Sequence, residues 1–273
     1  MKVLELFAGT GSVGKVCKER GWEVVSVDID GRADINIDIL KWDYKKAFEV
    51  GEFDIIWASP PCHTFSILRR SWIGRKLKVF GDNIVTAEIL DTDMIQNGLP
   101  LVRKAEEIIE YFKPKYFFIE NPSSGKMKDY LKHLEYFDLD YCQYSDWGYR
   151  KPTRVWCNKN LYFEPKKCDK KTCPNMTNGK HNVNMSEKYN GGNNKKSLDM
   201  KYRIPPKLIN ELFDSCKNID FEPKKCDKKT CPNMINGKHI SSIGNVYNKD
   251  TNKTDMRYRI PPKLINELFD SCN

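Results

Sequence analysis

What constrains this chain most is the alternation of short strand-like and helix-like segments through its first 162 residues. KVLELF (2–7), EVVSVDI (23–29), FDIIWA (53–58) and YFFIEN (116–121) read as strands, and VWCNKNLYF (155–163) closes the series with another strand-like run. SVGKVCKERG (12–21) reads as a helix stopped by Gly21. In LPLVRKAEEIIEYFK (99–113), Leu101, Ala105, Ile108, Ile109 and Phe112 fall on one face at helical spacing. SSGKMKDYLKHL (123–134) predicts a further helix opened by capping serines. Parallel strands need long crossovers, usually helical, so this alternation implies an α/β fold: a mostly parallel sheet with helices on both faces. Ligands in such sheets bind beyond the carboxyl ends of the strands.

The C-terminal part is a tandem duplication. FEPKKCDKKTCPNMTNGKH (163–181) recurs with one change at 221–239, and YRIPPKLINELFDSC (202–216) recurs at 258–272. The division read from this is 1–162, 163–216 as a first basic repeat ending in a helix, and 217–273 as its second copy. Charge follows the same boundary. Residues 1–162 hold 24 Lys+Arg and 24 Asp+Glu, while 163–273 hold 22 against 13, so the whole net charge of +9 sits in the repeats. Such an excess draws an acidic partner such as nucleic acid. No run approaches the roughly 18 apolar residues of a membrane span. MKVLELFAG lacks the pattern of a secretion signal, so the ten cysteines read as reduced thiols of a cytoplasmic protein, some used for chemistry or metal.

Chemistry concentrates at the strand ends. LFAGTGSVG (6–14) sets Gly9, Gly11 and Gly14 between a strand and a helix, where glycines allow close backbone approach to a ligand. Asp28 ends the next strand, a position suited to ribose hydroxyls, and Asp38 with Ile39 follows a third short strand, suited to an adenine amino group. Dinucleotide and S-adenosylmethionine sites share these features. SPPC (59–62) separates the two, because hydride transfer has no use for a cysteine there. Methylation of a pyrimidine at carbon 5 does, since that carbon becomes nucleophilic only after a thiolate adds to carbon 6. Glu120, ending YFFIEN, suits the N3 edge of the same ring and the charge that builds up on it, with Asn121 and Pro122 shaping the loop.

FAGTG, SPPC, ENP and WGYRKPTRVW (147–156) together resemble, in order and spacing, the cytosine C5 DNA methyltransferase family, in particular its short phage and large-virus members. The resemblance implies a class I (Rossmann-like) methyltransferase fold binding S-adenosylmethionine through Phe7, Gly9, Gly11, Asp28, Asp38, Ile39 and Pro60. It also implies Cys62 as nucleophile, Glu120 as the N3 contact and Arg154 as a catalytic-loop arginine. ENP stands where most members read ENV, and KPTR keeps one of the two usual arginines. The basic repeats occupy the place of the large target-recognition region. DNA is the expected partner. An RNA cytosine-5 methyltransferase, or a nucleic-acid-binding protein that keeps the fold without turnover, are the alternatives.

Directly after Cys62, residues 64–81 contain no acid but carry Arg69, Arg70, Arg75, Lys76 and Lys78 with Trp72 and Phe80 interleaved. A basic loop beside the nucleophile suits the phosphates flanking an extruded base. Each repeat also carries Cys-x4-Cys-x7-His: Cys168, Cys173, His181, and Cys226, Cys231, His239. The spacing is that of zinc ligands, but a fourth ligand is not evident. Cys216 and Cys272 are candidates, yet Cys216 shares the apolar face of Ile209, Leu212 and Phe213, so no metal site is assigned from the sequence.

Overall fold

The computed structural model describes residues 1–159, 161–184 and 195–217 (side chains from 199 to 216 in the last stretch), and the backbone of 234–235 and 238–239. Met1–Asp220 form one compact unit and Phe221–Asn273 a second. Of the second, the described part is an antiparallel pair, Met234–Ile235 with Lys238–His239. The side chains of Cys226, Cys231, His239 and Cys272 lie outside the described residues.

The first unit runs β1 (Lys2–Leu6), α1 (Ser12–Glu19), β2 (Glu23–Asp28), β3 (Ile35–Asn36), α2 (Tyr44–Ala47), β4 (Ile55–Ala58), α3 (Ala87–Asp93), α4 (Leu99–Phe112), β5 (Tyr116–Pro122), β6 (Glu135–Asp140), β7 (Pro152–Cys157), a small hairpin of β8 (Met176–Thr177) and β9 (Lys180–His181), α5 (Lys195–Tyr202) and α6 (Pro206–Lys217). The seven-stranded sheet has the order β3-β2-β1-β4-β5-β7-β6. The first five strands are parallel, and β7 runs antiparallel to both of its neighbours. This is the α/β, class I methyltransferase type of sheet expected above.

Each face of the sheet carries its own core. Val3, Ile55, Trp57 and Phe118 point to one side, against Val13, Val16 and Cys17 of α1 and Leu208, Ile209, Leu212 and Phe213 of α6. Leu4, Leu6, Ile56, Ala58 and Ile119 point to the other, against Val102, Ala105, Ile108 and Phe112 of α4. α6 comes from the first repeat. It starts with Pro206 at its first helical position, where the missing N–H costs nothing. Its four buried apolar side chains are each worth about 2 kcal/mol of transfer free energy. Arg20, directly after α1, ties the helix down further, donating to Asn210 Oδ1 at 2.6 Å and pairing with Asp214 at 3.0 Å.

Three sequence expectations need correction. Residues 123–134 form turns and one short 3₁₀ segment, Lys126–Asp129, rather than a helix. The serines cap nothing, because the Gly125 N–H returns to the Pro122 carbonyl and Lys126 N–H goes to Phe65 O, so the chain is used to bridge two loops. The last strand of the series runs from Pro152 to Cys157 rather than over 155–163, and it pairs with a further strand, β6, at Glu135–Asp140. On α4, Val102 is fully buried while Leu101 and Ile109 are only partly so, which rotates the apolar face slightly from the expected one.

Candidate active site

The register of the central strands lines up one row across the sheet: Val27, Leu6, Ala58 and Ile119 are neighbours on β2, β1, β4 and β5. The next residue along each of these segments is Asp28, Phe7, Ser59 and Glu120. Four segments far apart in sequence thus reach the same carboxyl edge together, and a cleft of about 510 Å³ opens there. That volume is in the range of small-molecule sites.

The β1–α1 turn is strained. Phe7 sits at φ 57, an unusual value for a bulky residue, followed by Gly9 at 49 and Gly11 at 64. This turns the Gly9 N–H onto Asp28 Oδ2 at 2.9 Å, while Asp30 N–H holds Oδ1 at 2.8 Å. Asp28 is therefore fixed from both sides at the cleft wall. Asp38 caps the next short turn through the Leu40 N–H at 3.0 Å, and Ile39 is buried beside it. Phe7, Gly9, Asp28, Asp38, Ile39 and Pro60 all line the cleft, whereas Gly11 does not and serves the turn.

A buried acid lies beneath this turn. Glu5, on β1, accepts the N–H groups of Val13 at 3.1 Å and Gly14 at 2.9 Å, so its carboxyl serves the open N-terminus of α1. Burial pushes it up to about 7, partly offset by those two bonds. A Cβ at Gly14 would stand 2.9 Å from Glu5 Oε2, so any larger residue there displaces this carboxyl. The only signal in the sequence is an acid inside an apolar run.

Cys62 and Glu120 share the cleft. Their loops are stitched together by Asn121, whose Nδ2 donates to the Pro60 carbonyl at 2.8 Å. The other amide atom, Asn121 Oδ1, is buried with no hydrogen-bond partner among the described residues. Glu120 is buried and accepts the Tyr141 hydroxyl at 2.9 Å, and the Lys151 ammonium stands 3.6 Å from the same oxygen. Burial holds the phenol of Tyr141 well above its ordinary value, so it stays a donor. Burial also raises the Cys62 thiol; Lys151 pulls it back down and Glu120 pushes it up.

Arg154 is not brought to this cleft. Its guanidinium makes a two-pronged pair with Asp138 on β6, at 2.7 and 2.8 Å, and stacks on the Tyr136 ring. Lys151, three residues earlier, is the cation that reaches Glu120 and Cys62. Arg69 is likewise taken from the proposed phosphate loop: it is buried, bonds the Thr64 carbonyl at 2.9 Å and pairs with Asp93. Arg70, Arg75, Lys76 and Lys78 remain exposed. The first repeat supplies further walls, two of them from its YRIPP segment. Asp199, Tyr202 and Ile204 line the cleft, and Arg32 at the rim pairs with Asp199 at 3.0 Å.

Residues 1–137 match the sequence profile of C-5 cytosine-specific DNA methylases. A probable DNA (cytosine-5)-methyltransferase of Frog virus 3 (isolate Goorha) is 44% identical over 223 residues, covering 79% of this chain and all of that relative. This chain belongs to the C-5 cytosine-specific DNA methylase family. Among solved structures, the S. pombe Dnmt2 methyltransferase aligns at 14% identity and a TM-score of 0.39, over 71% of this chain and 62% of that one. An Archaeoglobus fulgidus SAM-dependent methyltransferase aligns at 21% identity and a TM-score of 0.25, over 44% of each chain. Like the family, this methylase uses S-adenosylmethionine. The cleft fits that group: apolar walls at Phe7, Ile29 and Ile39 suit a flat purine, and Asp28, held by backbone N–H groups, keeps lone pairs for ribose hydroxyls.

Proposed function

We propose that this methylase transfers a methyl group to carbon 5 of cytosine in DNA, with Cys62 adding to carbon 6 and Glu120 holding the N3 edge of the ring. The observation that carries this reading is the joining of the Cys62 and Glu120 loops through Asn121 at one face of a single cleft. When bound, S-adenosylmethionine supplies an electrophilic methyl group, and Phe7, Asp28, Asp38 and Ile39 are the residues that would hold it.

The remaining work falls to the chain itself. The Cys62 sulfur forms a bond to carbon 6, and the electron pair displaced from the ring double bond makes carbon 5 nucleophilic. Negative charge spreads to N3, where a proton shared between the ring and the Glu120 carboxyl offsets it, the carboxyl being oriented by the Tyr141 hydroxyl. Lys151 favours the thiolate before addition. After methylation, solvent water takes the carbon 5 proton, its electron pair restores the carbon 5–carbon 6 double bond, the carbon–sulfur pair leaves on sulfur and the N3 proton returns to Glu120, so Cys62 leaves as it entered.

The DNA face of this proposal is the loop after Cys62. Arg70, Arg75, Lys76 and Lys78 are exposed, and Leu68 and Val79 beside them are about three-quarters exposed, a mixture that suits phosphates and an opened base step. The positive first repeat, 163–216, extends that attraction as a segment distinct in charge from 1–162, with 217–273 as a further copy. Seven free cysteines among the described residues support a reducing, cytoplasmic setting.

The test is incubation of the purified full chain with labelled S-adenosylmethionine and either duplex DNA or transfer RNA, followed by nucleoside mass spectrometry. 5-Methylcytosine in the DNA is expected. Label confined to the RNA, or at another ring atom, contradicts the proposal.

A further inference from the structure

The sequence leaves Cys168, Cys173 and His181 one ligand short, and the fold supplies the missing one from outside the repeat. The sulfurs of Cys142, Cys168 and Cys173 and a ring nitrogen of His181 all lie within 4.8 Å of one another. Cys142 belongs to the short turn after β6, upstream of the duplicated segment, so no spacing rule connects it to the other three. The Cys168 and Cys173 sulfurs stand 3.5 and 3.7 Å from His181 Nε2. A zinc ion with Zn–S of about 2.3 Å and Zn–N of about 2.0 Å, in tetrahedral geometry, sets sulfur–nitrogen edges of about 3.5 Å.

The backbone around the four side chains is fixed independently of them. His181 is carried on the β8–β9 hairpin, whose turn places Asn178 at φ 52 and Gly179 at φ 75, a two-residue turn that Asn-Gly forms readily. Asp140, buried at the end of β6, accepts the Cys168 N–H at 2.8 Å and the Arg150 guanidinium at 2.7 Å. Asn175, also buried, donates to the carbonyls of Cys142 at 2.7 Å and Ser145 at 2.8 Å, and accepts the Gly148 N–H at 2.9 Å. Three thiols and an imidazole are thus converged by a polar frame that bonds the main chain and leaves the ligand atoms facing each other. Cys216, the other candidate, is no part of it: its thiol is buried in the core and bonds the Leu212 carbonyl.

We propose that Cys142, Cys168, Cys173 and His181 form a structural zinc site that fastens the first repeat to the antiparallel corner of the catalytic sheet. Four protein ligands leave no open position, so the ion has a structural and not a hydrolytic role, and three thiolates with one imidazole favour zinc over harder cations. The site adjoins Tyr141, whose hydroxyl holds Glu120. Because the duplication starts after Cys142, the chain has one such cysteine for two Cys-x4-Cys-x7-His segments, and only one copy at a time can complete this ligand set.

The test uses the full chain carrying Cys226→Ser and Cys231→Ser, which removes the thiols of the second copy. Elemental analysis after dialysis is expected to return one zinc per chain, and X-ray absorption three sulfurs and one nitrogen around it. Adding Cys142→Ser is expected to lower retained zinc by more than about tenfold, while Cys216→Ser keeps it. The absorption spectrum needs no change at Cys142, so a variant that fails to fold does not spoil the test. A chain without zinc, a shell with two sulfurs, a disulfide among the three cysteines, or zinc indifferent to Cys142→Ser would each overturn the assignment.

Discussion

The five parallel strands and the antiparallel corner formed by β7 and β6 build the same cleft in opposite ways. In the parallel part each functional side chain lies at a strand's carboxyl end or within four residues of it: register brings Phe7, Asp28 and Glu120 to one edge, and the short Ser59–Pro61 turn, held by Asn121, sets Cys62 beside them. In the corner, the groups that tune the site arrive from distant segments: Tyr141 after β6, Lys151 before β7, and Asp199, Tyr202 and Ile204 from the first repeat. The first part places the reacting groups. The second sets their charge, hydrogen bonds and enclosure. Chemistry at strand ends is therefore local in sequence, while its tuning is long-range.

Substitutions that separate these two parts should differ in size. Cys62→Ala is expected to abolish methyl transfer while S-adenosylmethionine still binds, measured by steady-state assay and calorimetry. Equal loss of cofactor affinity would mean the thiol is only a structural part of the wall. Glu120→Gln should lower kcat by about 10² to 10³, the usual effect of removing one group that meets developing charge, with KM for DNA changed far less.

Within the corner, Lys151→Met should reduce kcat about tenfold, the rate equivalent of about 1.4 kcal/mol. It has a second readout with a definite sign. Burial places the Cys62 thiol above its ordinary value, so alkylation by iodoacetamide should rise with pH to beyond about 8.5. Losing the Lys151 charge should move that curve to still higher pH. An unchanged curve would remove Lys151 from the account. Arg154→Ala should have the smallest catalytic effect, leaving kcat within about twofold and costing about 1 kcal/mol of stability through the lost Asp138 pair, followed by thermal melting. A collapse of kcat at unchanged stability would mean that Arg154 leaves Asp138 to meet the substrate.

How much of this was legible in the sequence follows the same division. The parallel strands, α1 and the cleft residues Phe7, Gly9, Asp28, Asp38, Ile39, Pro60, Cys62 and Glu120 could be found because glycine turns, SPPC and ENP keep chemistry beside the strand that presents it. Glu5 is hard to read from the sequence because its role depends on the helix folding back over it. Residues 123–134 misled because serines at a strand end look like caps whether or not a helix follows. Arg154 and Lys151 are three residues apart in one motif, and only the pairing of β6 with β7 turns the first onto Asp138. Cys142 had no signal, since its three companions lie in a different part of the chain. Local pattern encodes strand ends well and antiparallel corners poorly.

The central claim is that the sulfur of Cys62 bonds covalently to the cytosine ring. Its most direct measurement is peptide mass mapping of the full chain after reaction with S-adenosylmethionine and DNA containing 5-fluorocytosine, which blocks loss of the group at carbon 5 and holds the adduct. The expected result is a stable protein–DNA complex with the added mass on the peptide containing Cys62, absent without the methyl donor. Methylation of ordinary DNA with no trapped complex, or an adduct on any other cysteine, would contradict it.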